Sequence, residues 1–466
     1  MSNPARDKPL TSLVARYSAQ TDFGVLPPDA VDAAQRVILD TLGSIVLGST
    51  MTPGLLMRKF VTGVGGNEQA TVIGGGMKAP VGYTALTNGT SAHTGELDGS
   101  HISWGHPAAI AVPLALALAE DQQLDGKEVI NSVVLMHDIA ARLFAALGGR
   151  QAILDAHHQH SSAMFCVGAA AAAGRMLRLT EEQHHFAMAL AVCNISSPAA
   201  YFDERRHMNK AMTHGQSAYA GVVGAQLAQL GFESSDAVLE DQDGIFDLWW
   251  TDLGDVDLLT DRLGEYYSVT DTGFKYYSAG YPIHAPLYGV ISLMRDNEVA
   301  PDDVQAIRVG MSTQAADIVD SRDTPSICLQ DMVSVGAVLG HVLYEDAHDP
   351  SLLQRPDVRR IRELITIVRD PEIDARTPRT RAAWVQIDAT GGRTFTAPEQ
   401  MPPGHWERGG MPWDDVIEKF HRLVGPRLGE AAAGQIVQRV RDLPDTSNIE
   451  PLMQFLAGPA SVPTSA

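Results

Sequence analysis

Residues 88–107 read NGTSAHTGELDGSHISWGHP, and this stretch decides how the whole chain is interpreted. It holds three histidines and two acids: His93, His101, His106, Glu96 and Asp98. The apolar run AAIAVPLALALAE follows it directly and is typical of a core segment. Titratable side chains beside a core segment are costly to bury unless they are paired or take part in chemistry. The stretch therefore predicts a functional site that is built against the core.

A helix is expected over the first half of this stretch, which would place His93 and Glu96 three residues apart on one face. Gly99 and Gly105 are expected to end the helix and to let the chain fold back. His101 and His106 would then lie in a loop, where catalytic side chains are common. The spacing alone leaves an alternative open, because an ordinary polar loop between helices can carry histidines that have no role.

Four short motifs in the stretch resemble the signature of the MmgE/PrpD family: Asn88-Gly89, Ala92-His93, Leu97-Asp98 and His106-Pro107. The spacing between the first and last histidines also matches that family. Glu96 stands at the position of the family's first acid, Gly99 replaces its third acid, and Ser100 replaces its threonine. A set of acid, hydroxyl and histidine is retained. These departures bear on the exact substrate more than on the reaction class.

Two further polar clusters precede small-residue segments. Residues 157–160 read HHQH, and the family resemblance places a histidine here, for which His160 is preferred over His158 or Gln159. Lys210 matches a family lysine, with Gly215, Gly221 and Ala225 in register behind it. A buried lysine near a helix start can hold a carboxylate or move a proton, since burial lowers its pKa. A solvated basic patch before a helix is the alternative.

The spacing of apolar residues changes near residue 265 from a helical to a strand-like pattern, which predicts two domains. Helical spacing dominates residues 1–265 and returns in 406–466, and residues 108–148 predict two helices separated by a turn at Leu124-Asp125-Gly126. Residues 307–313 alternate like a strand, and Gly391-Gly392 is typical of a hairpin turn. We therefore expect a mainly α fold, with a large helical domain formed by both chain ends and an inserted α+β lid over residues 266–405.

The inserted domain carries the remaining family-like positions. Lys275, Tyr277 and His284 match a family pattern in which Ser278 replaces a proline. Asp331 stands where the family has an active-site tyrosine. A carboxylate cannot perform the chemistry of a phenol at the same reach, and it adds negative charge. The resemblance therefore implies a substrate-binding role for Lys275, Tyr277 and Asp331, with Asp331 as the main departure.

Composition narrows the class of protein. The 466 residues carry a formal net charge of −21, which argues against nucleic-acid and anionic-membrane partners. No signal peptide is evident, and the longest apolar runs are too short to span a bilayer. The three cysteines lie far apart and predict neither disulfides nor a zinc site, and the HHQH cluster lacks an acid or cysteine at ligand spacing. We expect a cytoplasmic protein without a bound metal.

The resemblance implies a cofactor-free lyase, a dehydratase or decarboxylase, that acts on a small di- or tricarboxylate of the 2-methylcitrate or cis-aconitate type. Its members associate, so a homodimer is also implied. Expected catalytic residues are Glu96, Asp98, His106, His160, Lys210 and His284. Expected substrate-binding residues are Ser100, His101, Lys275, Tyr277 and Asp331. Within this scheme Glu96 or Asp98 works with His106 on protons, and Lys210 pairs with a substrate carboxylate.

Two other functions remain open at this point. One is an epimerase or isomerase of an amino- or imino-dicarboxylate, which needs the same proton transfer at the α carbon but no leaving group. Asp331 would suit the nitrogen of such a substrate. The other is a non-catalytic relative that binds a carboxylate metabolite, since the acid, threonine and tyrosine positions are all changed.

Overall fold

The computed structural model describes residues 4–101, 105–159, 164–194, 198–200, 208–376 and 381–458. The fold is mainly α with a small amount of β structure, which confirms the expected class. The chain divides into two compact units. A helical unit comprises Met1–Thr272 together with Pro412–Ala466, and an α+β unit comprises Gly273–Met411.

The helices and strands of the described residues follow in chain order. The helices are α1 (Leu10–Gln20), α2 (Pro28–Ser49), α3 (Thr52–Val64), α4 (Val81–Thr94), α5 (Ala108–Asp121), α6 (Gly126–Ala146), α7 (Gly149–His157), α8 (Phe165–Met176), α9 (Glu181–Val192), α10 (Met208–Gln229), α11 (Ile245–Leu248), α12 (His284–Asp296), α13 (Thr313–Val319), α14 (Leu329–Leu339), α15 (Tyr344–His348), α16 (Pro356–Glu363), α17 (Pro371–Arg376), α18 (Trp413–Leu428), α19 (Glu430–Arg441) and α20 (Glu450–Leu456). The strands are β1 (Ala70–Val72), β2 (Met77–Ala79), β3 (Ser100–His101), β4 (Thr272–Gly273), β5 (Val304–Met311), β6 (Ile365–Arg369), β7 (Ala383–Ala389) and β8 (Arg393–Gln400).

Local sequence signals set several helix starts in the helical unit. Asp125 caps α6 by accepting a hydrogen bond from the backbone N–H of Glu128. Thr180 and Gln183 form a capping box at the start of α9. The turn between α5 and α6 lies at residues 122–125, so the two helices predicted over residues 108–148 are confirmed.

Among the helices of the described residues, α6 is the one that is long and apolar enough to cross a membrane. Its most apolar window is 94% buried inside the protein. A long apolar helix that is almost entirely buried is typical of a protein core. α6 is therefore a core helix of this unit.

Glycines allow α4 and α10 to touch backbone to backbone. A Cβ atom added to Gly215 of α10 would lie 2.2 Å from the carbonyl oxygen of Leu86. One added to Gly89 of α4 would lie 2.8 Å from the Cα atom of Gly215. Contacts this short exclude any larger residue, so the two helices cross at a fixed, minimal separation. This crossing brings the end of α4 close to the start of α10, and both ends carry titratable side chains.

The α+β unit contains one four-stranded sheet with the order β6-β5-β7-β8. β5 pairs with β6 in parallel and with β7 antiparallel, and β7 pairs antiparallel with β8. Buried and partly exposed side chains alternate along β7, as expected for a sheet with one face on a core. The β7–β8 connection contains Gly391 and Gly392 with φ angles of 75° and 73°, which confirms the predicted hairpin turn.

Candidate active site

The loop after α4 turns earlier than the sequence predicts. The helix ends at Thr94 with Gly95 as its C-cap, whereas the glycine pattern placed the end at Gly99. Glu96 follows with a φ angle of 52°, in the left-handed region that non-glycine residues seldom occupy. This turn reverses the chain within a few residues. It directs the two acids of the loop back toward the last turn of α4.

Asp98 lies at the centre of the cluster and bridges two histidines. It is fully buried, and its carboxylate accepts hydrogen bonds from Nδ1 of His93 at 3.0 and 3.1 Å. Nδ1 of His106 lies 3.0 Å from the same carboxylate and 2.9 Å from the carbonyl oxygen of Gly99. A carbonyl oxygen can only accept, so Nδ1 of His106 carries a proton. Nε2 is therefore the ring nitrogen of His106 that can exchange a proton with a substrate.

Electrostatics keep Asp98 ionised. Burial opposes the charged form, but the rings of His93 and His106 outweigh it and hold the pKa of Asp98 well below its usual range. A buried carboxylate that orients an imidazole through Nδ1 and stabilises its protonated form is a recurring arrangement in acid–base catalysis. Here one carboxylate serves two imidazoles.

Glu96 connects this cluster to α10. Its Oε1 atom accepts a hydrogen bond from Nζ of Lys210 at 2.6 Å and lies 3.3 Å from Nε2 of His93. Lys210 lies in the first described turn of α10. Because the side chains of Glu96 and Lys210 are only 4% and 13% exposed, the pair is largely desolvated. Where water is excluded, the Coulomb attraction between Lys210 and a negatively charged group is stronger than it is in bulk solvent.

His214 completes the group, one helical turn after Lys210. Its ring centroid lies 4.2 Å from that of His93 and 5.7 Å from that of His106, and its Nδ1 donates to the carbonyl of Lys210. Burial, and then the neighbouring His93 and His106 rings, hold the pKa of His214 well below its usual range. His214 therefore stays neutral and adds no repulsive charge beside the other two rings.

The structure thus brings four of the predicted residues together: Glu96, Asp98, His106 and Lys210. His93 and His214 were not among the residues expected in the site. The i,i+4 spacing from Lys210 to His214 was a usable signal, because it places both on one face of a helix. His93 was visible as a family-like position, but its contact with Asp98 depends on the turn at Glu96.

Ser100 and His101 lie beyond the loop in β3 and are both buried. Nε2 of His101 hydrogen-bonds to the carbonyl oxygen of Ser268 at 2.6 Å. Burial lowers the pKa of His101, so its ring is neutral and serves as an anchor for the loop. His160, the preferred match to the second family histidine, lies outside the described residues.

The remaining predicted residues belong to the α+β unit. Lys275 and His284 are fully buried there, and the rings of Tyr277 and His284 lie 5.4 Å apart. Burial raises the pKa of Tyr277 to about 12. Asp331 pairs with Arg362, with 2.5 Å between Oδ1 and Nε. The negative charge that Asp331 adds at the family's tyrosine position is therefore balanced within its own unit.

His93, Asp98 and His106 are also the His/Cys/Asp/Glu group of the described residues whose potential ligand atoms lie within 4.8 Å of one another. A ring nitrogen that carries a proton cannot bind a metal ion. Nδ1 of His106 carries a proton, because it donates a hydrogen bond to the carbonyl oxygen of Gly99. The hydrogen bonds of this group thus compete with metal binding at the Nδ1 atoms. We accordingly expect catalysis to proceed without a metal.

Dialysis of the protein against EDTA is therefore expected to leave turnover within about twofold of that of the untreated enzyme, because Asp98 orients two imidazoles rather than a cation. The measurement compares initial rates before dialysis, after it, and after addition of Zn²⁺ or Mg²⁺. Loss of turnover that a divalent ion restores would contradict this expectation.

Two protein-family models together match most of the chain. Residues 12–253 match the model of the MmgE/PrpD N-terminal domain, and residues 277–443 match that of the MmgE/PrpD C-terminal domain. The chain is 24% identical to a cis-aconitate decarboxylase of Aspergillus terreus over 97% of both chains. It is 23% identical to the human cis-aconitate decarboxylase, over 97% of this chain and 95% of that one. The mouse enzyme of the same name is also 23% identical, over 92% and 89%.

Proposed function

The chain belongs to the MmgE/PrpD family, and from this premise we propose that it is a cofactor-free lyase that removes CO2 from a small unsaturated tricarboxylate of the cis-aconitate type. The curated relatives named cis-aconitate decarboxylase support the reaction class. The observation that carries the proposal is the buried Asp98 carboxylate, which orients His93 and His106 beside the Lys210–Glu96 pair.

The proposed reaction needs one acid and at least one cation. When the carboxymethyl carbon of cis-aconitate loses CO2, the electron pair of the broken C–C bond forms a new C=C bond with the central carbon. The original C=C bond opens, and its far carbon takes up one proton. The products are CO2 and a 2-methylene dicarboxylate, so one proton is consumed in each turnover. Placing an acid beside that far carbon is the main task of the site.

We assign the proton transfer to His106. Its Nδ1 proton is held by Asp98 and Gly99, which leaves Nε2 as the donor, and its side chain is 14% exposed and so accessible to a ligand. Lys210 would hold a substrate carboxylate that competes with Glu96 for its ammonium group. His93, buried between Asp98 and Glu96, would stabilise the charge of the cluster as the proton leaves.

Dehydration of a 2-hydroxy polycarboxylate uses the same parts in a different order, with a base at the α carbon and an acid at the hydroxyl group. The similarity to decarboxylases favours CO2 loss. The epimerase alternative rested on an Asp331 carboxylate that would receive a substrate nitrogen, and its ion pair with Arg362 weakens that argument. We therefore propose decarboxylation first and dehydration second.

The test is a panel of polycarboxylates with the purified protein in deuterated water. CO2 release is expected from cis-aconitate and not from trans-aconitate, and the product should carry one deuterium at the carbon that accepts the proton. Water loss from 2-methylcitrate without CO2 release would favour the dehydratase. Exchange at an α carbon without either would favour an epimerase, and binding without any reaction would favour the non-catalytic relative.

We also propose a cytoplasmic location. Cys166 and Cys328 are buried free thiols, and Cys193 is an exposed free thiol. Free thiols persist most readily in a reducing compartment, which supports this proposal.

A homodimer is the proposed assembly, and exposed apolar side chains indicate the surface that it uses. The alanine- and glycine-rich segments at residues 168–174 and 218–225 are largely buried within the helical unit, where Gly221 packs on Ala169. In contrast, Leu56, Phe60 and Val64 recur every four residues on one face of α3 and are 53%, 52% and 43% exposed. An exposed apolar stripe of this kind is typical of an association surface.

Light scattering is therefore expected to give a mass twice the 50.0 kDa of the chain at micromolar concentration. Phe60→Asp should shift the protein to the monomer, because it places a charge in the apolar stripe. Leu230→Asp is the matched control, since Leu230 is 84% exposed and lies away from α3 in sequence. A monomeric wild-type protein would contradict the dimer, and a dimeric Phe60→Asp variant would contradict the surface.

A further inference from the structure

Lys419 reaches the active-site loop from the C-terminal part of the chain. It lies on α18, and its Nζ atom donates to the backbone carbonyl oxygen of Leu97 at 2.7 Å. The same ammonium group pairs with Oδ1 of Asp40 on α2 at 2.6 Å. The side chains of Lys419 and Asp40 are 10% and 1% exposed, so this arrangement is almost entirely shielded from water.

The position of Leu97 gives this contact its importance. Leu97 stands between the two acids of the site, and its carbonyl belongs to the same planar peptide group as the N–H of Asp98. Fixing the carbonyl therefore fixes the plane from which the Asp98 side chain leaves the backbone. The loop needs such a restraint, because Glu96 is held in a left-handed conformation that an unrestrained chain seldom adopts.

We propose that Lys419 is a positioning residue of the active site, which acts through Leu97 to hold Glu96 and Asp98 in register with Lys210, His93 and His106. Asp40 supplies the countercharge that keeps the Lys419 ammonium group buried and directed at the loop. Lys419 contacts none of the titratable side chains of the cluster in the contacts described, so its effect reaches them through the backbone.

The packing of α2 on α18 makes the restraint rigid. A Cβ atom on Gly43 would lie 3.3 Å from the ring of Phe420, which is the residue next to Lys419. Phe420 is itself buried. The lysine thus projects from a helix that is already seated on α2, and little freedom remains for its Cα position. A residue held in this way can transmit a precise constraint to a loop.

The first test is independent of any substrate. Lys419→Met is expected to increase amide hydrogen exchange at least about fivefold in a peptide that covers residues 95–101, because the loop loses its tether. The matched control is Gln35→Met. Gln35 is a buried side chain on α2, the helix that also carries Asp40. It donates to the carbonyls of Val440 and Arg441 on α19 and does not contact the loop. The control should loosen the C-terminal helices and leave exchange in residues 95–101 unchanged.

The second test uses turnover and therefore rests on the proposed function. On the substrate that the panel identifies, Lys419→Met should lower kcat by about 10- to 100-fold with KM within about threefold, because a misplaced Asp98 impairs proton transfer more than binding. Lys419→Arg, which keeps the charge and the donor, should recover part of kcat. Gln35→Met should retain wild-type kcat. If the wild-type protein turns over no substrate, the proposed function fails while the exchange measurement still decides the role of Lys419.

Removing one partner of a buried ion pair can unfold a protein, since it leaves an unpaired charge. The Asp40→Asn/Lys419→Met double variant removes both charges and the donor to Leu97, so it separates stability from positioning. Faster exchange in residues 95–101 of this folded variant would support the proposal. Wild-type exchange in this peptide, in either Lys419→Met or the double variant, would overturn it.

Discussion

His106→Ala is expected to lower kcat on the accepted polycarboxylate by roughly 10²–10⁴-fold, the range typical for loss of a general acid or base. The ring of His106 is oriented through Nδ1 by Asp98 and Gly99, and alanine removes the nitrogen that exchanges the proton. KM should change far less, because the carboxylate-binding cation is a different residue. The measurement is a full kcat and KM determination on the variant, with its circular dichroism spectrum compared with wild type.

A matched control and a partner variant sharpen this result. His341→Ala removes an exposed imidazole that pairs with Asp346 in the α+β unit, and it should retain wild-type kcat. Asp98→Asn should lose turnover to a similar extent as His106→Ala, because an amide cannot supply the negative charge that stabilises a protonated imidazole. A folded His106→Ala variant with near wild-type kcat would remove His106 from the mechanism.

Lys210→Ala is expected to reduce kcat/KM roughly 30- to 1,000-fold, with KM raised as well as kcat lowered. This corresponds to a loss of about 2–4 kcal/mol of transition-state stabilisation. The reason is loss of a desolvated cation that a substrate carboxylate would contact. Part of the loss can also come from Glu96, because the variant leaves that buried carboxylate without its ammonium partner at 2.6 Å.

The Glu96→Gln/Lys210→Ala double variant separates these two contributions. If Lys210 only neutralises Glu96, removing both charges should restore KM toward the wild-type value. If Lys210 holds the substrate, KM should stay raised in the double variant. Wild-type KM in both variants would show that Lys210 has no part in binding.

Short-range patterns predicted much of the fold. The helices on either side of residues 122–125 follow from apolar runs and an Asp-Gly start, and the β7–β8 hairpin follows from its two glycines. The glycines at residues 89 and 215 belong to the resemblance, but their mutual contact does not follow from spacing. It depends on how two helices that are far apart in sequence cross.

Much of the geometry of the site depended on tertiary contacts rather than on local sequence patterns. Glu96 takes a left-handed conformation that sequence rules assign to glycine, so the helix end was placed at Gly99 instead. The pair that Glu96 makes with Lys210 joins residues 114 positions apart. Asp331 looked like an unbalanced charge because Arg362 lies on a separate helix, α16. Titratable residues can be identified from the sequence, but their partners are set by tertiary packing.

The contact between Lys419 and Leu97 joins residues 322 positions apart, and it sets an order on biosynthesis. A ribosome that has just made the acids of the loop must still add about 300 residues, including the whole α+β unit, before α18 emerges. At a synthesis rate of about 5–20 residues per second, the nascent chain spends roughly 15–60 s with this loop untethered. During that interval the nascent chain contains Asp40 but not yet Lys419, its ion-pair partner in the folded protein.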